Sequence, residues 1–142
     1  MLAAPSRFGG DGSVGLVRIL IVDDHELVRR GVRSILVTRP EWEICGEAAD
    51  GSDAIEKARD LKPDVVLLDI TMPRMNGLDA ARIIRRDLPR AKVIILSQYE
   101  GAEMRARALE AGAQAYVSKS DASRQLLIAI DSLISNHNPS LA

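Results

Sequence analysis

Val65-Val66-Leu67-Leu68-Asp69 sets four consecutive apolar residues directly before a carboxylate. An apolar run of this length without polar alternation, bounded by Pro63, reads as a strand covered on both faces, as parallel-sheet strands are. Toward the N-terminus, Ala54, Ile55, Ala58 and Leu61 form a helical stripe behind the turn and cap Asp50-Gly51-Ser52. Residues 42–48 alternate as another strand. Residues 26–37 place Leu27, Val28, Val32, Ile35 and Leu36 on one helical face, and residues 18–22 form a strand running into Asp23 and Asp24. Toward the C-terminus the spacing predicts a helix over 78–88 closed by Pro89, and a strand over 93–96 leading to Ser97. A helix over 102–111 stops at Gly112, a short strand follows over 115–117, and a last helix covers 123–135.

Five β-α units in succession argue for a doubly wound α/β fold, a five-stranded parallel sheet with helices on both faces. In such sheets ligands sit beyond the carboxyl ends of the strands, where strand order reverses. The residues at those ends are Asp23 and Asp24, Asp69, Ser97 and Lys119.

The 142 residues suit one core, with residues 1–16 read as a loose tail, 17–136 as the domain and 137–142 as a tail or the start of a linker. Formal net charge is −1, from 19 basic and 20 acidic residues, so no basic stripe points to nucleic acid. No apolar stretch is long enough to span a membrane, and the N-terminus lacks the apolar core of a secretory signal. Cys45 is the only cysteine, which excludes an internal disulfide, suits a cytoplasmic setting and reads as inert packing.

Three carboxylates converging at one sheet edge need compensation. Two like charges about 4 Å apart repel by roughly 4 kcal/mol at an effective dielectric near 20, and three pairs by on the order of 12 kcal/mol, gross. A hard divalent cation, Mg²⁺ with Mn²⁺ as a substitute, and the Lys119 ammonium are the natural compensators. Asp69, held at the end of a buried strand, has the chemistry of a nucleophile toward phosphorus, forming an acyl phosphate. Lys119 and the Ser97 hydroxyl would then meet phosphoryl oxygens.

Val22-Asp23-Asp24-His25, Asp69-Ile70-Thr71-Met72-Pro73-Arg74-Met75-Asn76-Gly77, Ser97 and Tyr116-Val117-Ser118-Lys119, in that order at successive strand ends, resemble the signature of response-regulator receiver domains. The resemblance covers nearly the whole chain. It implies the flavodoxin-like (βα)5 fold with strand order 2-1-3-4-5, and a phosphoryl group accepted on Asp69 from a sensor histidine kinase or phosphotransfer protein. It implies Asp24, Asp69 and the backbone carbonyl of Thr71 as direct Mg²⁺ ligands, with Asp23 acting through water. Lys119 becomes the phosphate-pairing lysine, and Ser97 and Tyr116 a switch pair in which Tyr116 turns inward as Ser97 moves toward the phosphoryl group. The chain would catalyse its own phosphorylation and dephosphorylation rather than turn over a substrate. Its output surface would be the fourth helix, fifth strand and fifth helix.

Asp23-Asp24-His25-Glu26-Leu27-Val28-Arg29-Arg30-Gly31, with Gly112-Ala113 ahead of Tyr116, is similar to receivers of the NarL/FixJ type, which precede a helix-turn-helix DNA-binding domain. DNA would then be met only through an output domain beyond this chain, and a second copy of the chain is a further partner. The alternative is a stand-alone receiver acting in a phosphorelay or by protein–protein contact. Ser120 follows Lys119 where receivers commonly carry a cis proline. A cis non-proline bond costs about 2.5 to 4 kcal/mol, so this bond is expected to be trans.

Other residues carry plainer expectations. His25 reads as a helix-start residue, because a hard-ion site prefers oxygen. Met72 and Met75 read as loop packing, Trp42 as a cover for the strand-two edge, and Arg85-Arg86-Asp87 as a solvated charge run. Thr71 and Tyr99 flank the pocket and are expected to govern water access to the acyl phosphate. A haloacid-dehalogenase-type hydrolase would want a second aspartate where Thr71 stands. A flavin phosphate would be repelled by the two aspartates after strand one. A receiver-like interaction module that is never phosphorylated leaves the intact constellation without a purpose.

Overall fold

The computed structural model describes residues 16–72 and 75–135. The expected tails lie outside the described residues apart from Leu16, as do Asn136 at the end of the expected domain and Pro73 and Arg74 of the quoted motif. Elements alternate along the chain: β1 (Val17–Val22), α1 (Glu26–Leu36), β2 (Trp42–Ala48), α2 (Gly51–Leu61), β3 (Val65–Leu68), α3 (Gly77–Asp87), β4 (Lys92–Ser97), α4 (Ala102–Glu110), β5 (Ala115–Ser118), a 3₁₀ turn (Lys119–Asp121) and α5 (Ala122–Ser135). The five strands are all parallel, in the order β2-β1-β3-β4-β5. The order reverses at β1, so the crevice between β1 and β3 opens at their carboxyl ends.

Strand periodicity divides the core in two. Leu20, Val22, Val66, Leu68, Val93 and Ile95 face one side, where α2, α3 and α4 bring Ala54, Ala58, Ala81, Ile84 and Ala108. Ile19, Ile21, Val65, Leu67, Ile94 and Leu96 face the other, under Val32 and Leu36 of α1 and Leu126 and Ile130 of α5. Because both faces are covered, β1, β3 and β4 read as unbroken apolar runs.

Three expectations need correction. Leu27 does not join the buried stripe of α1 and is 77% exposed. It lies about 100° round the helix from Val28, and the covered arc runs the other way through Val32, Ile35 and Leu36. β2 does not alternate cleanly, because Ile19 pairs with Ile44 and Leu20 with Gly46, which leaves Cys45 as the extra residue of a bulge. Cys45 is consequently only partly buried, though burial still pushes its thiol up. Nor is Arg85-Arg86-Asp87 merely solvated: Arg85 donates to the carbonyls of Pro89 and Ala91 at 2.9 and 2.8 Å, and Asp87 takes Arg59 of α2 at 2.7 Å. Trp42 is buried, with the Arg39 guanidinium 4.8 Å from its ring centre.

Candidate functional site

Asp69 follows β3 directly, and its backbone N–H donates to the Val22 carbonyl at 3.0 Å, so the ladder with β1 extends through the acidic residue. Asp23 is tied in the same way to β2 through the Ala48 carbonyl, also at 3.0 Å. Both side chains are buried, Asp23 2% and Asp69 4% exposed, while Asp24 is half-buried. Lys119 bridges them: its Nζ lies 2.8 Å from Asp23 Oδ2 and 3.2 Å from Asp69 Oδ1. No peptide bond among the described residues is cis, so Lys119–Ser120 is trans and the lysine nonetheless reaches the acids.

A cleft of about 420 Å³ opens over this group, lined among others by Asp24, His25, Asp69, Thr71, Gln98 and Lys119. Tyr99, expected beside Thr71, does not line it; its neighbour Gln98 does, and Tyr99 turns outward. Ser97 is 1% exposed and its hydroxyl accepts the Tyr99 N–H at 3.0 Å, so it stands behind the cleft rather than in its wall. Tyr116 is already inward, its hydroxyl donating to the Tyr99 carbonyl and its ring 5.1 Å from the Arg105 guanidinium.

Electrostatics follow from crowding. Burial, and then the charge of Asp23, raise the Asp69 carboxyl above its ordinary value, and Lys119 offsets this only in part. Burial pulls Lys119 down, but its contacts with Asp23 and Asp69 outweigh that and hold the ammonium charged. One ammonium against three carboxylates leaves negative charge uncompensated. Asp23 Oδ2 and Asp24 Oδ1 are moreover buried, and the contacts found for them are the shared Lys119 ammonium at 2.8 Å and the His25 ring at 3.1 Å. Carboxylate oxygens in excess of the positive charge around them suit a hard divalent cation.

His25 is the N-cap residue of α1, as expected of a helix-start residue, but its side chain makes no cap bond. Its Nδ1 lies 3.2 Å from Asp23 Oδ1 and 3.1 Å from Asp24 Oδ1. The potential ligand atoms of Asp23, Asp24 and His25 fall within 4.8 Å of one another, and Asp69 joins this group through Lys119.

Two supports were not read from the sequence. Arg29 donates to the Asp23 carbonyl at 2.7 Å and to Glu47 at 2.9 Å, and Arg33 also pairs with Glu47, which fixes the β1–α1 turn from β2. The quoted Asp23-to-Gly31 stretch contains Arg29, but its partner is 18 residues away. Gly77 packs against Asp69: a Cβ there would lie 1.9 Å from the Asp69 carbonyl oxygen, while the Gly77 N–H donates to Ile70 at 2.7 Å. The loop after β3 thus folds back onto the residue that opens it, and only a glycine permits the approach.

The response regulator receiver domain family matches residues 19–131. Over 122 residues the chain is 38% identical to the response regulator protein VraR of Staphylococcus saprophyticus, covering 86% of this chain and 58% of VraR, so it spans little more than half the length of that curated relative. A two-component response regulator of the LuxR family from Aurantimonas sp. superposes with TM-score 0.81 at 36% identity, over 85% of this chain and 86% of that one. CheY of Borrelia burgdorferi, crystallised in a complex with CheX, BeF3 and Mg²⁺, superposes with TM-score 0.79 at 28% identity, over 84% and 91% of the two chains. The chain belongs to the response regulator receiver domains, and its relatives place it beside the NarL/LuxR-type regulators.

Proposed function

We propose that Asp69 is the phosphoacceptor and that the chain itself catalyses the transfer. The observation that carries this is the Asp69 carboxylate at the floor of an open cleft, in ion-pair contact with Lys119, which also holds Asp23. In the reaction an Asp69 oxygen attacks phosphorus, the bond from phosphorus to the donor's leaving group breaks, and an acyl phosphate forms on Asp69. Asp24 and Asp69, with the Thr71 carbonyl, would hold Mg²⁺, Mn²⁺ substituting, and Asp23 would act through water. When bound, the ion neutralises the acids and the incoming phosphoryl oxygens. The chain's own residues do the rest. Lys119 gives up part of its contact with Asp69 to pair with a phosphoryl oxygen. The Ser97 hydroxyl, released from the Tyr99 N–H, donates to another.

The raised Asp69 carboxyl explains why the ion matters. Proton and neighbouring charge both work against the ionised nucleophile until a cation enters. The donor is a sensor histidine kinase or a phosphotransfer protein, and the setting is the cytoplasm; no described helix is long and apolar enough to cross a membrane. Among the similar structures is a DNA-binding response regulator of the LuxR family from Staphylococcus aureus, and that likeness supports reading the switched surface as one that controls a DNA-binding output domain.

The test is the intact mass of the purified chain after incubation with acetyl phosphate and Mg²⁺. A single phosphoryl adduct is expected, lost with chelator and in Asp69→Asn. An adduct that survives in Asp69→Asn would place the chemistry elsewhere, and none from either acetyl phosphate or a phosphohistidine donor would refute the reading.

A further inference from the structure

Lys119 reaches the acids across a trans bond to Ser120, and the residues on either side of it are held from the neighbouring loop. Glu100, in the loop between β4 and α4, lies with Oε2 3.1 Å from the Ser118 hydroxyl and 3.1 Å from the Ser120 hydroxyl. The two hydroxyls are 2.9 Å apart, and Ser118 Oγ also accepts the Ser120 N–H at 3.4 Å as the N-cap of the 3₁₀ turn. These residues flank Lys119 on either side.

Proton counting makes the carboxylate the centre of this group. Each serine hydroxyl has one proton to give, and an ionised carboxylate only accepts. Either both hydroxyls donate to Glu100, or one donates to the other and that one to Glu100; in each case Glu100 receives the chain of donors. Strand alternation supplies the second half of the argument. Tyr116 and Ser118 project from β5 toward the β4–α4 loop, where they meet Tyr99 and Glu100. Lys119 projects toward Asp23 and Asp69 instead. The loop that follows Ser97 is thereby fastened to the strand end that carries Lys119, at two successive residues.

We propose that Glu100 is a positioning residue that holds Lys119 over the acid pair through the Ser118 and Ser120 hydroxyls. The proposal rests on Lys119 serving phosphoryl transfer, so it is tested in two independent ways on the whole chain. The first is the rate of adduct formation at saturating acetyl phosphate and Mg²⁺. Glu100→Ala lowers it by about fivefold, the scale of one net hydrogen bond. Glu100→Gln, which keeps an acceptor oxygen, restores most of it. In a Ser118→Ala/Ser120→Ala background, Glu100→Ala has no further effect. The second is amide hydrogen exchange over residues 118–121 in the unphosphorylated protein, which accelerates in Glu100→Ala and returns toward the wild-type rate in Glu100→Gln. Equal losses from Glu100→Ala with and without the serines, or unchanged exchange over 118–121, would overturn the latch. Should the wild type take no phosphoryl group, the proposed function fails while the exchange measurement still decides the latch.

Discussion

Asp69 is held where its charge is least welcome: buried, facing Asp23, and answered by an ammonium that it must share. A carboxyl raised in the folded state keeps its proton to a higher pH than in the unfolded chain. The acid cluster therefore draws stability away as pH rises through that window and the folded protein ionises. Asp69→Asn removes the charge and nearly keeps the shape. In chelator at neutral pH it is expected to raise the thermal midpoint by about 4 °C, on the order of 1 kcal/mol, and saturating Mg²⁺ should shrink that gap by stabilising the wild type. A calorimetric scan showing the substitution neutral or destabilising in chelator would contradict the account. The acids and Lys119 were legible in the sequence because strand ends and charge repulsion both single them out. The Ser97 hydroxyl turned to Tyr99, Gln98 rather than Tyr99 at the cleft, and the hold of Arg29 on Asp23 were not, since each depends on a tertiary partner or a local rotation that no spacing encodes.

Elements, by contrast, follow from pattern wherever both faces of a strand are covered. β3 and β4 differ from expectation by no more than a residue at either end. The pattern fails where one residue breaks the period, as Cys45 does in β2, or where a side chain stands just outside the covered arc, as Leu27 does in α1. Two glycines show how differently one residue type serves an element. Gly31 in α1 has nothing within 4 Å of an added Cβ, whereas at Gly77 the Cβ would strike the Asp69 backbone. Gly31→Ala is expected to stabilise the protein by about 0.5–1 kcal/mol through helix propensity. Gly77→Ala should destabilise by about 1–3 kcal/mol through overpacking and depress adduct formation on the displaced Asp69. Urea unfolding of both variants tests this, and a neutral Gly77→Ala would show that the β3–α3 loop yields without cost.

Across the molecule, the helices are tied to one another and to the sheet by charge as well as by the two apolar layers. Arg59 of α2 meets Asp87 of α3, and Arg39, ahead of β2, forks onto Asp131 of α5 at 2.9 and 2.7 Å. Arg59 and Arg86 hold the Asp87 carboxyl below its ordinary value. A lowered folded value means a contribution fully present above the unfolded one and lost as pH falls through the folded one. The stability difference between wild type and Asp87→Asn should thus be constant near neutrality and close in acid, below the usual carboxylate range. Urea midpoints measured against pH would refute the tie if the difference persisted there. Trp42, the only tryptophan, begins β2 and pairs with Val17, so six residues of β1, roughly 20 Å of strand, separate it from the acids. The lone indole, capped by Arg39, is an optical witness to the sheet alone: its emission follows the opening of the core and is blind to whatever fills the cleft.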